Sequence, residues 1–161
     1  MLAILADAAA WTRTRGYANW PERFSRRFIE SHAIAGELHA VEIDGSMIAT
    51  LTLQWSDERF WGETGPDAGY VHRLAVRRSH AGQGLGYRLL DWSDEQVRAR
   101  GRELLRIDVV SDNAPLRGYY EQVGFAHQRD VEGEEVSRDG TRRPWRTSLY
   151  ERRCDRARSG T

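Results

Sequence analysis

The amino-acid sequence predicts an α+β domain, a mixed α/β sheet flanked by helices, and three observations carry that reading. Apolar residues recur at helical spacing in two N-terminal segments and again over residues 84–99. Short alternating or apolar runs bounded by Gly, Asp and Pro read as strands, one pair of them joined by Asp44-Gly45. The order is helices, hairpin, then strand-helix-strand-helix-strand-strand, which suits one mixed sheet whose parallel pair is linked by the long helix.

Leu2, Ile4, Leu5, Ala8, Ala9 and Trp11 mark the first helix, which decays at Gly16. The second follows Pro21 in a first-turn position, shows Phe24, Phe28 and Ile29 on one face and stops at Gly36. Leu38 to Ile43 and Met47 to Gln54 form a hairpin, because Asp-Gly tolerates the positive φ of a tight turn. After a loop holding Trp61, Gly62, Gly65 and Pro66 comes a strand, Tyr70 to Val76, then an arginine-rich loop and a helix from Gly84 to Ala99. Leu104 to Val110 is a strand, Pro115 to Gln122 a short helix, and Phe125 to Asp130 and Arg146 to Glu151 are strands separated by a charged loop. Residues 1–153 are expected to form one domain and residues 154–161 a flexible tail.

Composition narrows the function classes. Across 161 residues, 24 basic side chains balance 24 acidic ones, so bulk charge does not point to nucleic acid. Every basic residue is arginine, which excludes Schiff-base chemistry through lysine. No apolar run approaches the roughly 20 residues of a membrane span, and the N-terminal run lacks the basic start of a signal peptide. One cysteine, Cys154, cannot make an internal disulfide, which suits a reducing compartment, by default the cytoplasm. His32, His39, His72, His80 and His127 show no close metal-ligand spacing, so no metal is expected.

The chemistry concentrates between Val76 and Tyr87, where a strand gives way to a helix. A helix start leaves backbone N–H groups unpaired and carries partial positive charge, and Gly82, Gly84 and Gly86 remove side chains that would keep a diphosphate away from them. The same glycines also suit a flexible loop at a helix start. Tyr87 stands where the dinucleotide fingerprint needs a third glycine, and a Walker-type loop needs a lysine that the chain lacks.

The segment Tyr70 to Leu90, YVHRLAVRRSHAGQGLGYRLL, resembles the acyl-CoA-binding motif of the GNAT superfamily, and Asn113 to Phe125, NAPLRGYYEQVGF, resembles the motif that follows it. The resemblance covers residues 38–130 and departs from the family in two places. Ala81 stands where Gln or Arg is usual, and the chain opens almost directly in a helix where the family commonly has a strand.

The resemblance implies a mostly antiparallel sheet with a splayed parallel pair, and acetyl-CoA as cosubstrate. Leu74, Ala75 and Val76 would hold the pantetheine and thioester by their backbone, with an N–H near Val76 facing the oxyanion. Gly82, Gln83, Gly84, Leu85, Gly86 and Tyr87 would cradle the diphosphate, with charge from Arg77, Arg78 or Arg88. Tyr120 matches the family's general acid, Tyr119 reads as a packing aromatic, and Asn113 either touches the coenzyme or caps a helix. Asp108 matches a catalytic carboxylate of some members. His72, on the preceding strand, is the other candidate base, since histidine ordinarily titrates near neutrality. Glu58 and Glu63 are more distant candidates.

Trp55, Trp61 and Tyr70 are expected on the acceptor side, where aromatic walls would suit an amine. The acidic half of the loop at residues 132–144 would attract one. The activity implied is acetyl transfer to a primary amine of a small molecule by direct attack, with no nucleic-acid or membrane partner and room for a homodimer. A protein N-terminus or lysine as acceptor, or a non-catalytic acyl-CoA-binding module, are the alternatives.

Overall fold

A computed structural model describes residues 1–17, 20–21, 23–136 and 139–154. Among the described residues six strands form one sheet in the order β1-β2-β3-β4-β6-β5, made of β1 (Leu38–Ile43), β2 (Ser46–Gln54), β3 (Ala68–Val76), β4 (Leu104–Val110), β5 (Ala126–Val136) and β6 (Arg142–Arg153). Only β3 and β4 run parallel; the other neighbours are antiparallel. Helices α1 (Leu2–Thr14) and α2 (Arg26–Ile34) seal one face through Ile4, Leu5, Ile29 and Ala75. On the other, α4 (Leu85–Ala99) and α5 (Ala114–Gln122) bury Leu89, Leu90, Val97 and Tyr120 against Leu51, Val71, Leu105 and Ile107. This is the mixed, mostly antiparallel sheet with flanking helices that the sequence predicts.

Asp44 (φ 50°) and Gly45 (φ 74°) both adopt positive φ, the conformation that lets a two-residue turn follow the twist of its strands. The second helix starts later than the Pro21 signal suggests. Ser25 accepts a hydrogen bond from the Phe28 amide at 3.4 Å and so caps the helix, leaving Pro21 outside it. A short helix, α3 (Glu58–Trp61), occupies the segment that reads as loop in the sequence, with Asp57 as its cap.

The largest correction concerns the last two strands, which continue far into the expected charged loop as a two-stranded ribbon. Alternating charges hold it where apolar residues are lacking: Arg142 pairs with Glu134 at 2.9 Å, and Arg146 with Asp130 at 2.7 Å and Glu132 at 3.3 Å. Trp145 lies so close over Gly133 that a Cβ there would enter the indole ring. Residues 132–136 and 142–144 are therefore strand, and Glu132, Glu134 and Glu135 do not form a loop over the acceptor side.

Cys154 is likewise not in a loose tail. It is buried, its amide bonds to the Glu103 carbonyl at 2.8 Å, and desolvation drives its thiol pKa well up. The remainder of the expected tail, residues 155–161, lies outside the described residues. No helix among the described residues is long and apolar enough to cross a membrane.

Two irregularities in β3 create the site. Thr50 pairs with Ala75 while Thr52 pairs with His72, so Arg73 and Leu74 together face Leu51 and form a bulge. One extra residue reverses the alternation, which puts Leu74 and Val76 on the same core-facing side as Val71. Arg73 absorbs the bend with φ 53°, an uncommon conformation for a non-glycine residue. Its guanidinium donates to Thr52 Oγ1 at 3.2 Å, reaches His32 Nε2 at 3.1 Å and lies over the Phe28 ring. The second irregularity is the end of pairing with β4. The ladder runs from Ala68–Leu104 to Val71–Ile107 and stops, while both strands continue apart.

Candidate active site

The gap between the diverging strands is a cavity of about 630 Å³. It is lined by His72 to Val76 on one strand, Asp108 to Val110 on the other, and Leu116, Tyr119 and Tyr120 of α5. At one end it meets the turn into α4. There Gly82 (φ 77°) and Gly84 (φ 74°) take up left-handed backbone, and the amides of Gly82, Gln83 and Gly84 find no acceptor among the described residues. The first turn of α4 carries no acidic side chain. A line of free N–H groups at the positive end of a fifteen-residue helix is an arrangement that favours anionic oxygens.

Three of the expected diphosphate residues contribute in specific ways. The Leu85 side chain is core, so only its amide is available. Gly86 is needed for space: a Cβ there would come within 2.5 Å of Tyr119 Oη. Tyr87 is exposed with its ring 5.1 Å from that of Tyr119. Of the arginines considered, Arg77 is committed to the Met47 carbonyl at 2.6 Å, whereas Arg78 lies on the cavity wall beside Ala81 and Gly86, its guanidinium stacked on Trp11. Asn113 is buried and accepts from the Leu116 amide at 3.2 Å, capping α5; it does not line the cavity.

At the other end, His72 and Asp108 are in direct contact, with His72 Nδ1 2.9 Å from Asp108 Oδ1. A third member carries no signal in the sequence. Asp57 Oδ2 lies 3.5 Å from His72 Nε2, and burial raises the Asp57 pKa although His72, Arg59 and the Phe60 amide pull it down. Donor atoms of these three residues fall within 4.8 Å of one another, a cluster that spacing along the chain conceals. The two ring nitrogens of His72 each lie near a different carboxylate, so the three groups form a run of close charge contacts. Glu58 and Glu63 lie outside the cavity wall.

Tyr120, next to the cluster, is buried with a pKa pushed strongly up, first by desolvation, then by Tyr119 and Asp108. Tyr119 also lines the cavity and is pushed up to about 12 for the same leading reason. It packs against the core as well.

The aromatic residues expected to hold the acceptor lie elsewhere. Tyr70 and Trp61 are core, locked by Arg106, which donates to Tyr70 Oη at 2.9 Å, pairs with Glu151 at 2.7 Å and lies over the Trp61 ring. Trp55 sits beneath Arg100 and Arg102. None of the three lines the cavity. The aromatic residues that do line it include Trp20, Phe24, Phe28 and Phe60. Sequence periodicity places Phe24 and Phe28 on one helix face but does not tell that the face looks onto the splay.

Known proteins resemble this chain in sequence and in architecture. The sequence pattern of the acetyltransferase (GNAT) family matches residues 5–125. A Bacillus subtilis protein described as the uncharacterized N-acetyltransferase YesJ is 32% identical over 133 residues, 76% of this chain and 72% of that protein. Among solved structures, a GNAT acetyltransferase from Listeria monocytogenes superposes with a TM-score of 0.72 at 21% identity, covering 94% of this chain and 86% of that one. A GNAT acetyltransferase from Elizabethkingia anophelis with acetyl-CoA bound gives 0.60 at 16%, covering 80% and 83%. The family match and the Bacillus subtilis relative define an acyl-CoA-dependent N-acetyltransferase. The chain belongs to the GNAT acetyltransferase family.

Proposed function

We propose that the protein moves the acetyl group of acetyl-CoA onto the primary amine of a small molecule, by direct attack in a ternary complex. The observation that carries this is the cavity between β3 and β4, lined by Asp108 and Tyr120 and also by Ala81 and Gly86, the residues that flank the free amides of residues 82–84. The diphosphate rests on the turn with Arg78 beside it, and the pantetheine runs along Leu74 to Val76. Among the described residues no strand pairs with that edge of β3, so its backbone groups remain for the coenzyme.

An amine arrives as an ammonium ion and loses one proton to the Asp108–His72 pair. Nitrogen then attacks the thioester carbon, and the oxyanion takes a backbone N–H near Val76. As the C–S bond breaks, Tyr120 protonates the thiolate; the second proton released by nitrogen restores the phenol, and the first leaves to solvent. Cys154 is no covalent carrier in this scheme, since it is buried and held protonated away from the cavity.

The walls favour a small acceptor. Trp20, Phe24, Phe28 and Phe60 enclose the amine end, and Phe28 and Phe60 already carry the guanidinium groups of Arg73 and Arg59 on their faces, so an incoming cation is directed to Asp108. Thiol release from acetyl-CoA with a panel of small amines, a lysine peptide and an N-terminal peptide tests the reading. Turnover on small amines is expected. Turnover confined to peptides, or coenzyme binding without turnover on anything, would contradict it.

A further inference from the structure

The buried carboxylate of Asp57 has one oxygen too many for the role its backbone position gives it. Oδ1 caps α3 by accepting the Phe60 amide at 3.4 Å. Oδ2 is inaccessible and has no hydrogen-bond partner, yet it is aimed at His72 Nε2, and the side chain as a whole is only 8% exposed. A buried acceptor left unsatisfied costs about 1–3 kcal/mol.

The chemistry of imidazole supplies the missing partner. With a single proton, His72 can donate to Asp108 or to Asp57 but not to both, and its other nitrogen turns a lone pair onto a carboxylate oxygen. A second proton between Nε2 and Oδ2 satisfies every atom of the chain Asp57–His72–Asp108. Asp57, whose buried carboxyl already favours protonation, is placed to share it. We propose that Asp57 is a positioning residue of the amine-deprotonating site: it keeps a proton on the far side of His72, so that Nδ1–H pins Asp108 Oδ1 and the other Asp108 oxygen remains for the amine.

Other charged or titratable groups surround the cluster: Arg59 on α3, Arg73 on β3 and Tyr120 on α5, with Asp108 itself on β4. Asp57, which does not line the cavity, adds negative charge beside His72 Nε2. Its removal weakens the hold of the whole cluster on its protons, which therefore leave at lower pH.

The inference rests on the proposed amine acetylation and separates from the cap function by substitution. Asp57→Asn keeps the cap, because an Asn carbonyl accepts the Phe60 amide as well as Asp does, but removes the charge. Asp57→Glu keeps the charge. The measurement is kcat/KM by thiol release from about pH 5 to about pH 9, where carboxylate and imidazole clusters titrate, with thermal unfolding and acetyl-CoA affinity alongside.

Asp57→Asn is expected to keep its melting temperature and coenzyme affinity, to lose about tenfold or more in plateau rate, and to move the acidic limb about one pH unit down. Asp57→Glu should restore the wild-type limb. Wild-type turnover with Asn and Glu variants that share an unmoved limb overturns the inference alone. A wild-type protein that acetylates no amine overturns the proposed function, and the inference with it. If Asn lowers stability, the limb still decides, since loss of folded protein scales the rate without moving its pH dependence.

Discussion

Tyr120→Phe is expected to lower kcat by about 10²–10³-fold, the usual contribution of a positioned general acid, with acetyl-CoA affinity unchanged. The phenol is the proton donor closest to the site in the proposed scheme, and burial holds it in the protonated form at every working pH. In water a phenol loses its proton near pH ~10 and a thiol near pH ~8.5, so the transfer is uphill by about 2 kcal/mol. Burial penalises both anions, so the transfer is feasible when it accompanies C–S cleavage. Phenylalanine preserves the packing against Phe125 and Tyr119, whose rings lie 5.6 and 5.2 Å from that of Tyr120. The fold therefore survives, and parallel losses of rate and of coenzyme binding would contradict the acid role. Tyr119→Phe supplies the contrast: as a wall residue it should cost far less rate.

Gly84→Val should weaken acetyl-CoA binding about 100-fold, equivalent to the loss of about two hydrogen bonds to a charged group. Gly84 has φ 74°, and a Cβ built on it meets nothing within 4 Å, so a side chain there clashes with no part of the protein. The damage is conformational. A β-branched residue cannot hold that backbone without strain, and the turn must swing its amides away from the diphosphate. Far-ultraviolet circular dichroism should be unchanged while calorimetry reads the lost affinity. Undiminished affinity would remove the diphosphate assignment.

The parts legible in the sequence are those decided by short stretches of chain. Asp44-Gly45 announces its own turn, the α4 helix shows its period, and Gly82 and Gly84 reflect backbone demands that only glycine meets easily, while Gly86 leaves room for Tyr119. Tyr120 can be found because it stands at a fixed distance from Gly124 in a motif of known order. What stays hidden depends on register and on distant partners. Asp57 looks like any loop aspartate until β3 and β4 bring His72 and Asp108 to it. Trp61 and Tyr70 look like pocket aromatics until Arg106, far along the chain, claims them for the core. The β5–β6 ribbon reads as a loop for a related reason: cross-strand ion pairs hold it, and a run of charges has no apolar alternation by which to recognise a strand.

The coenzyme assignment is tested most directly by titrating the wild-type protein calorimetrically with coenzyme A and, separately, with pantetheine, which keeps the thiol arm and lacks the diphosphate. Coenzyme A should bind at least about 100-fold more tightly, the difference expected from about two charge-assisted hydrogen bonds to the turn at residues 82–86. Equal affinity for the two would mean that the glycine turn holds no phosphate.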